Sequence, residues 1–164
     1  MALPTILLGD IGGTHSRLEL MAGRDGRLHT VHEQTYRSEK FASFDALLDE
    51  FYALEPVKSA AAPIAAACFS VAGPVEGRQS TLTNLDWAID ARAVSARLSI
   101  PDVLLVNDFA AVGHGVADLG EHDLMTLQRG IPQPHAGRIA ASAEYSGVGE
   151  GDQRRNGRAV CAIA

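Results

Sequence analysis

An apolar run that breaks on an acid and then on two glycines, Leu7-Leu8-Gly9-Asp10-Ile11-Gly12-Gly13-Thr14, restricts this chain more than any other segment. A buried strand that delivers a carboxylate to its tip belongs to α/β sheets, whose strand ends face the ligand crevice. Phosphate oxygens need several donors converging on a small volume. A turn with Gly12 and Gly13 can point consecutive backbone N–H groups at one anion, and Thr14 adds a hydroxyl. Asp10 would be repelled by phosphate directly, and would act through Mg²⁺ or its bound water. The segment is neither a Walker loop nor a dinucleotide glycine fingerprint. A hairpin whose Gly-Gly is only the turn accounts for these residues about as well on their own. The strand before the turn and the acid at its tip favour the anion site. His15 and Arg17 are single basic residues, as readily solvated as functional.

A second segment, Val103-Leu104-Leu105-Val106-Asn107-Asp108-Phe109, again delivers a carboxylate at the end of a strand. In phosphoryl transfer to an alcohol, the hydroxyl must be oriented and must lose its proton as the bond forms. An Asp within hydrogen-bond reach does both. Asn107 offers a donor and an acceptor to sugar hydroxyls. The bland reading is that Asp108 caps the following helix, worth about 1 kcal/mol. The two roles are compatible. One acid beside a phosphate cradle and one placed to accept a proton are the two halves of a phosphotransferase, and a sugar kinase is the leading expectation.

Other candidates are weaker. His29 and His32 have neither helix-face metal nor zinc-finger spacing. His114 reads as a packed or partly exposed helical residue. The glycine-rich stretch 147–151 follows no strand and reads as a loop. Ser70 lacks the flanks of a nucleophile elbow. A formal charge of −6 argues against a nucleic-acid surface but not against a nucleotide, which needs only a local cradle. Two cysteines make no disulfide framework, and Cys68 in its apolar run reads as a reduced thiol. The first apolar run is interrupted by Gly9 and Asp10, so neither a signal peptide nor a membrane span fits, and a cytoplasmic protein is expected.

The chain order reads as strands over 5–9, 16–21 and 28–36, the first two separated by the glycine turn and the last two by Gly23-Arg24-Asp25-Gly26. Ser43 should cap a helix whose Phe44, Leu47, Leu48 and Phe51 share one face, with Pro56 ending that region. The all-apolar 64–72 run predicts a strand covered on both faces, stopped by Gly73-Pro74. Asp90 should cap a helix through Leu98. Residues 102–107 form a further strand and a helix follows from Phe109. The expectation is an α/β domain with a mixed five-stranded sheet and flanking helices. Residues 130–157 read as loop-rich, and 158–164 as the start of another strand.

Four blocks resemble the bacterial glucokinase family: Gly9-Asp10-Ile11-Gly12-Gly13-Thr14 with Arg17, Phe69-Ser70-Val71-Ala72-Gly73-Pro74-Val75, Leu82-Thr83-Asn84-Leu85 with Trp87, and Asn107-Asp108-Phe109-Ala110-Ala111-Val112. The resemblance covers about residues 1–129. It implies the ribonuclease-H-like, actin-like ATPase fold, with ATP and Mg²⁺ between two lobes, acting on glucose in glycolysis. By the same resemblance Gly9, Asp10, Ile11, Gly12, Gly13 and Thr14 form the nucleotide phosphate loop, Asp10 faces Mg²⁺ through water, Asp108 is the base on the glucose 6-hydroxyl, and Asn107, Thr83 and Asn84 serve the sugar, with Trp87 shaping its side of the cleft. A homodimer is implied for the complete protein. His15 departs from the family, which usually has Asn there, and 140–157 matches poorly and reads as an insertion. The family continues with a second glycine-rich segment, further sugar ligands and an ATP-binding lobe. The chain therefore reads as the N-terminal lobe, truncated before the second and inactive alone.

Two other functions fit the same fold. A non-catalytic sugar sensor would need neither Asp10 nor Asp108, and the presence of both disfavours it. A kinase for another hexose or an amino sugar stays open, because residues that would judge the other hydroxyls fall mostly beyond Ala164.

Overall fold

The computed structural model describes residues 4–60, 62–82, 84–116, 119–123, 125, 139–142 and 160–163. Contacts divide the chain after Asp108, into a unit of residues 1–108 and one of 109–164.

The first unit is organised by β1 (Thr5–Ile11), β2 (His15–Arg24) and β3 (Arg27–Arg37), an antiparallel meander. The turn between β2 and β3 places Asp25 and Gly26 at positive φ, 51° and 74°, the conformation expected of an Asp-Gly hairpin. Two parallel strands, β4 (Ile64–Val71) and β8 (Asp102–Asn107), extend the sheet on the other side of β1. The order is β3-β2-β1-β4-β8, the mixed five-stranded sheet expected.

Helix α1 (Phe44–Tyr52) is capped by Ser43, whose hydroxyl accepts the Ala46 N–H at 3.1 Å. Its Phe44, Leu47, Leu48 and Phe51 are buried. The helix ends before Pro56. That proline sits in the first turn of a short helix, α2 (Glu55–Lys58), where its missing N–H costs nothing. Helix α3 (Ala91–Leu98) is capped by Asp90, which accepts the N–H groups of Arg92 and Ala93, and it ends on Ser99 in the left-handed region. Arg97 of α3 pairs with Asp45 and Asp49 on α1, joining the two helices.

The core lies on one side of the sheet: Leu7, Ile11, Leu18, Leu20, Ala67, Phe69, Val71, Val103 and Leu105 are buried together with the apolar faces of α1 and α3. Phe44 meets Phe69 edge to face with ring centroids 5.1 Å apart, and Trp87 packs against Phe44. Burying each such side chain contributes roughly 1.5–3 kcal/mol. The opposite side is less covered. In β4, Ala66, Cys68 and Ser70 alternate as half-buried residues with the buried Ala67, Phe69 and Val71, and Leu104 of β8 is 56% exposed. The expectation that residues 64–72 are covered on both faces is therefore corrected: small side chains make an apolar run without reporting which face is covered.

Between β4 and α3 lies an element the sequence did not announce: a three-stranded antiparallel sheet of β5 (Val75–Glu76), β6 (Gln79–Leu82) and β7 (Trp87–Asp90). Strands this short leave almost no alternation to read. Helix α4 (Asp108–Gly115) starts on the last residue of the first unit, one residue earlier than expected; in the second unit β9 (Ile139–Ser142) pairs antiparallel with β10 (Val160–Ile163). Strand β9 lies within residues 130–157 and β10 within residues 158–164. Among the described residues, no helix is long and apolar enough to cross a membrane.

Candidate active site at the ends of the parallel strands

The parallel strands β1, β4 and β8 run in register to one edge of the sheet, with Ile11 beside Val71 and Val71 beside Asn107. Each strand therefore hands its next residues to the same rim. From β1 come Asp10, which is exposed, and the Gly12–Thr14 turn; from β4, Ala72-Gly73-Pro74; from β8, Asn107 and Asp108. Asp10, Ser70 and Val106 share a register line, and Asp108 lies two residues beyond Val106. Strand spacing and rise put the Cα positions of Asp10 and Asp108 roughly 12 Å apart.

The turn after β1 is both a hairpin and a rim loop. Its Gly12 N–H donates to the His15 carbonyl at 3.0 Å. The expectation that Gly12 and Gly13 both present N–H groups to one anion is thus corrected: Gly12 closes the turn, and Gly13 and Thr14 carry the N–H groups with no partner among the described residues. Neither Gly12 nor Gly13 has positive φ. What excludes a side chain at Gly12 is space, since a Cβ there would lie 2.8 Å from the His15 carbonyl oxygen. A Cβ on Gly13 would meet the Asn84 side chain at 3.4 Å, so Asn84 stands directly beside the turn.

Gly9 and Ile11 contribute differently from the loop proper. Ile11 is fully buried, so only its backbone can face a ligand. Gly9 lies under the Phe69 ring, where an added Cβ would be 2.6 Å from the ring's Cδ1. Arg17, opposite Asp10 across the β1–β2 pair, bonds to Glu33. That bond raises its pKa against an opposing cost of burial, and the charges of Glu33, Glu19 and Asp10 add to the rise.

The two side-chain amide hydrogens of Asn107 are both engaged. One goes to the Gly73 carbonyl at 2.9 Å and the other to Oδ1 of Asp108 at 3.0 Å. Asn107 therefore ties the acid to the turn after β4. That turn is braced in its turn by Ser80, whose hydroxyl donates to the Pro74 carbonyl, and by the close passage of β6, whose Thr81 oxygen lies 2.9 Å from where a Gly73 Cβ would be. Asp108 is the first residue of α4 rather than the residue before it.

The blocks singled out from sequence thus meet along one arc, from Gly13 and Asn84 through Gly73 to Asn107 and Asp108. Thr83 lies outside the described residues. Trp87 is 2% exposed and packs in the core against Phe44. Two residues that sequence reasoning passed over, Ser16 and Ser38, are completely buried beneath the turn. Single serines in strands and bends give no signal until the fold brings them together.

Among the described residues, no cluster of three or more His, Cys, Asp or Glu could hold a metal. Mg²⁺ in phosphotransferases is commonly held by one or two carboxylates plus the substrate's phosphates, which a single exposed carboxylate such as Asp10 can serve.

A mixed sheet of this order, three antiparallel strands continued by two parallel ones, is the ribonuclease-H-like, actin-like fold. The match to the glucokinase family model spans residues 7–164, and the chain belongs to that family. It is 40% identical over 147 residues to a glucokinase from Nostoc sp. and 38% identical over 150 residues to one from Synechocystis sp.. These alignments cover 89% and 88% of this chain and 42% of each relative. The crystal structure of a glucokinase from an Antarctic psychrotroph superimposes with a TM-score of 0.66 at 25% identity, over 85% of this chain and 42% of that one. The chain thus spans less than half the length of the curated relatives it matches.

Proposed function

We propose that the complete gene product phosphorylates glucose at O6 with ATP, and that this chain supplies the phosphate cradle and the proton acceptor. The observation that carries the reading is the shared rim: a glycine turn whose Gly13 and Thr14 N–H groups have no partner among the described residues at the end of β1, and an oriented carboxylate at the end of β8. Gly13, Thr14 and the Thr14 hydroxyl bind the terminal phosphates. Asp10 is the residue that would hold Mg²⁺, which when bound offsets the charge of the phosphate oxygens.

Asp108 accepts the proton of the attacking hydroxyl. Asn107 acts first on Asp108: its amide donates to one carboxylate oxygen and so orients the acid. Its carbonyl oxygen is the atom suited to a sugar hydroxyl. Asn84 sits between the cradle and the sugar side, beside Gly13. A gap of roughly 12 Å between the two acids leaves room for a phosphoryl group and a hydroxyl between them.

The experiment is a coupled assay of glucose 6-phosphate formation with ATP and Mg²⁺, run on the complete gene product and on the 164-residue chain. Turnover by the complete product with none from the chain is expected. Turnover of another hexose or an amino sugar in preference to glucose would replace the substrate, and glucose binding without turnover would replace the enzyme by a sensor.

A further inference from the structure

We infer that Ser38, backed by Ser16, is the positioning device that aims the Gly13 N–H out of the turn toward a bound phosphate. This rests on the reading of Gly12–Thr14 as the ATP cradle.

A Gly-Gly peptide is the least restrained unit a chain can contain, because neither residue has a Cβ to limit rotation. The freedom that clears the way for an anion also lets the peptide between Gly12 and Gly13 turn over. It would then present a carbonyl oxygen where a donor is needed. Something must hold that plane.

Ser38 does so with two donors. Its hydroxyl donates to the Gly12 carbonyl at 2.7 Å and its backbone N–H donates to the Thr14 carbonyl at 3.0 Å, gripping the turn on both sides of Gly13. Ser16 lies 2.8 Å from the Ser38 hydroxyl, and its own approach to the Gly12 oxygen is longer, 3.5 Å. Each hydroxyl has one hydrogen. The shorter contact to Gly12 takes the Ser38 hydrogen, so the Ser16 hydrogen goes to Ser38 oxygen, and the relay runs Ser16 to Ser38 to Gly12.

In a trans peptide the carbonyl and the following N–H point in opposite directions, and no cis bond occurs in the described residues. Drawing the Gly12 oxygen inward therefore turns the Gly13 N–H outward. Both serines are fully buried and neither can touch a nucleotide, so their effect passes through the backbone alone.

The test is steady-state kinetics and thermal unfolding of Ser38→Ala, Ser16→Ala and the double variant in the complete gene product. Ser95→Ala serves as control, since the Ser95 hydroxyl makes an equivalent bond to the Ile100 carbonyl at the end of α3. A misaimed donor to an anion should raise the KM for ATP about tenfold in Ser38→Ala. The KM for glucose and kcat should be little changed, as befits lost uniform binding. Ser16→Ala should give a smaller rise and add nothing to Ser38→Ala, because it acts only through that residue. Should Ser38→Ala fail to fold, the rise in Ser16→Ala carries the test. A loss of melting temperature like that of Ser95→Ala, with an unchanged KM for ATP, would overturn the inference and leave the cradle standing. If Gly13→Ala also leaves the KM for ATP unchanged, the cradle itself falls, and the inference with it.

Discussion

Replacing Gly9 by alanine separates glycines that serve packing from glycines that serve a ligand. The new Cβ would stand 2.6 Å from Cδ1 of Phe69, 3.0 Å from Cδ2 of Leu18 and 3.1 Å from Cδ1 of Ile11. Carbon atoms prefer about 3.5–4.0 Å, so all three neighbours must retreat. None has room: Phe69, Leu18 and Ile11 are each fully buried, and Phe69 is held edge to face by Phe44. Overpacking of this kind costs about 1–3 kcal/mol. The alanine restrains the unfolded chain and returns about 0.4–1 kcal/mol. The midpoints of these ranges leave a net loss of about 1.3 kcal/mol, equivalent to roughly 3–5 °C in a chain of this size. Gly13→Ala, by contrast, meets only the exposed Asn84 side chain at 3.4 Å and should change stability little. Thermal unfolding followed by circular dichroism on the 164-residue chain measures both. A Gly9→Ala variant that melts at or above the parent temperature would refute the packing of Phe69 against β1.

Three further outcomes are expected. Hydrogen bonds from Gln79, then from the Arg92 backbone, lower the pKa of Asp90. A depressed folded value means the stabilisation is complete above the ordinary carboxylate range, about 3.9, and is lost as pH falls through the lower folded value; Asp90→Asn should therefore be less stable than the parent in urea at about pH 6, with the gap closing in acid, and a pH-independent gap would refute the linkage. Burial raises the pKa of the Cys68 thiol, so mass-spectrometric mapping should find that peptide alkylated more slowly than a free cysteine at about pH 8, and equally fast in urea. Removing the cap of α1 with Ser43→Ala should cost about 1 kcal/mol in urea titration, and no loss would deny the bond to Ala46 its role.

What could be read from sequence was what has a period or a sharp chemical edge. The heptad-like spacing of Phe44, Leu47, Leu48 and Phe51, the Asp25-Gly26 turn and the caps at Ser43 and Asp90 each follow from local physics, and all appear in the structure. The acids at the strand tips were legible for the same reason, because a charge ending an apolar run is hard to bury. The β5–β7 sheet was not, since strands of two to four residues have no alternation to show. Nor were Ser16 and Ser38, which are 22 positions apart in sequence and meet only through the β2–β3 pairing. The inactive role of the Gly12 N–H, and the double engagement of Asn107, likewise depend on tertiary neighbours that no motif encodes.

The most direct test of the central claim is Asp108→Asn in the complete gene product, with glucose affinity measured by calorimetry beside turnover. Asn keeps the shape of Asp but cannot take the proton. Affinity within a few-fold of the parent, with kcat reduced at least about 100-fold, is the expected result. Near-normal turnover would remove Asp108 from the chemistry and contradict the account.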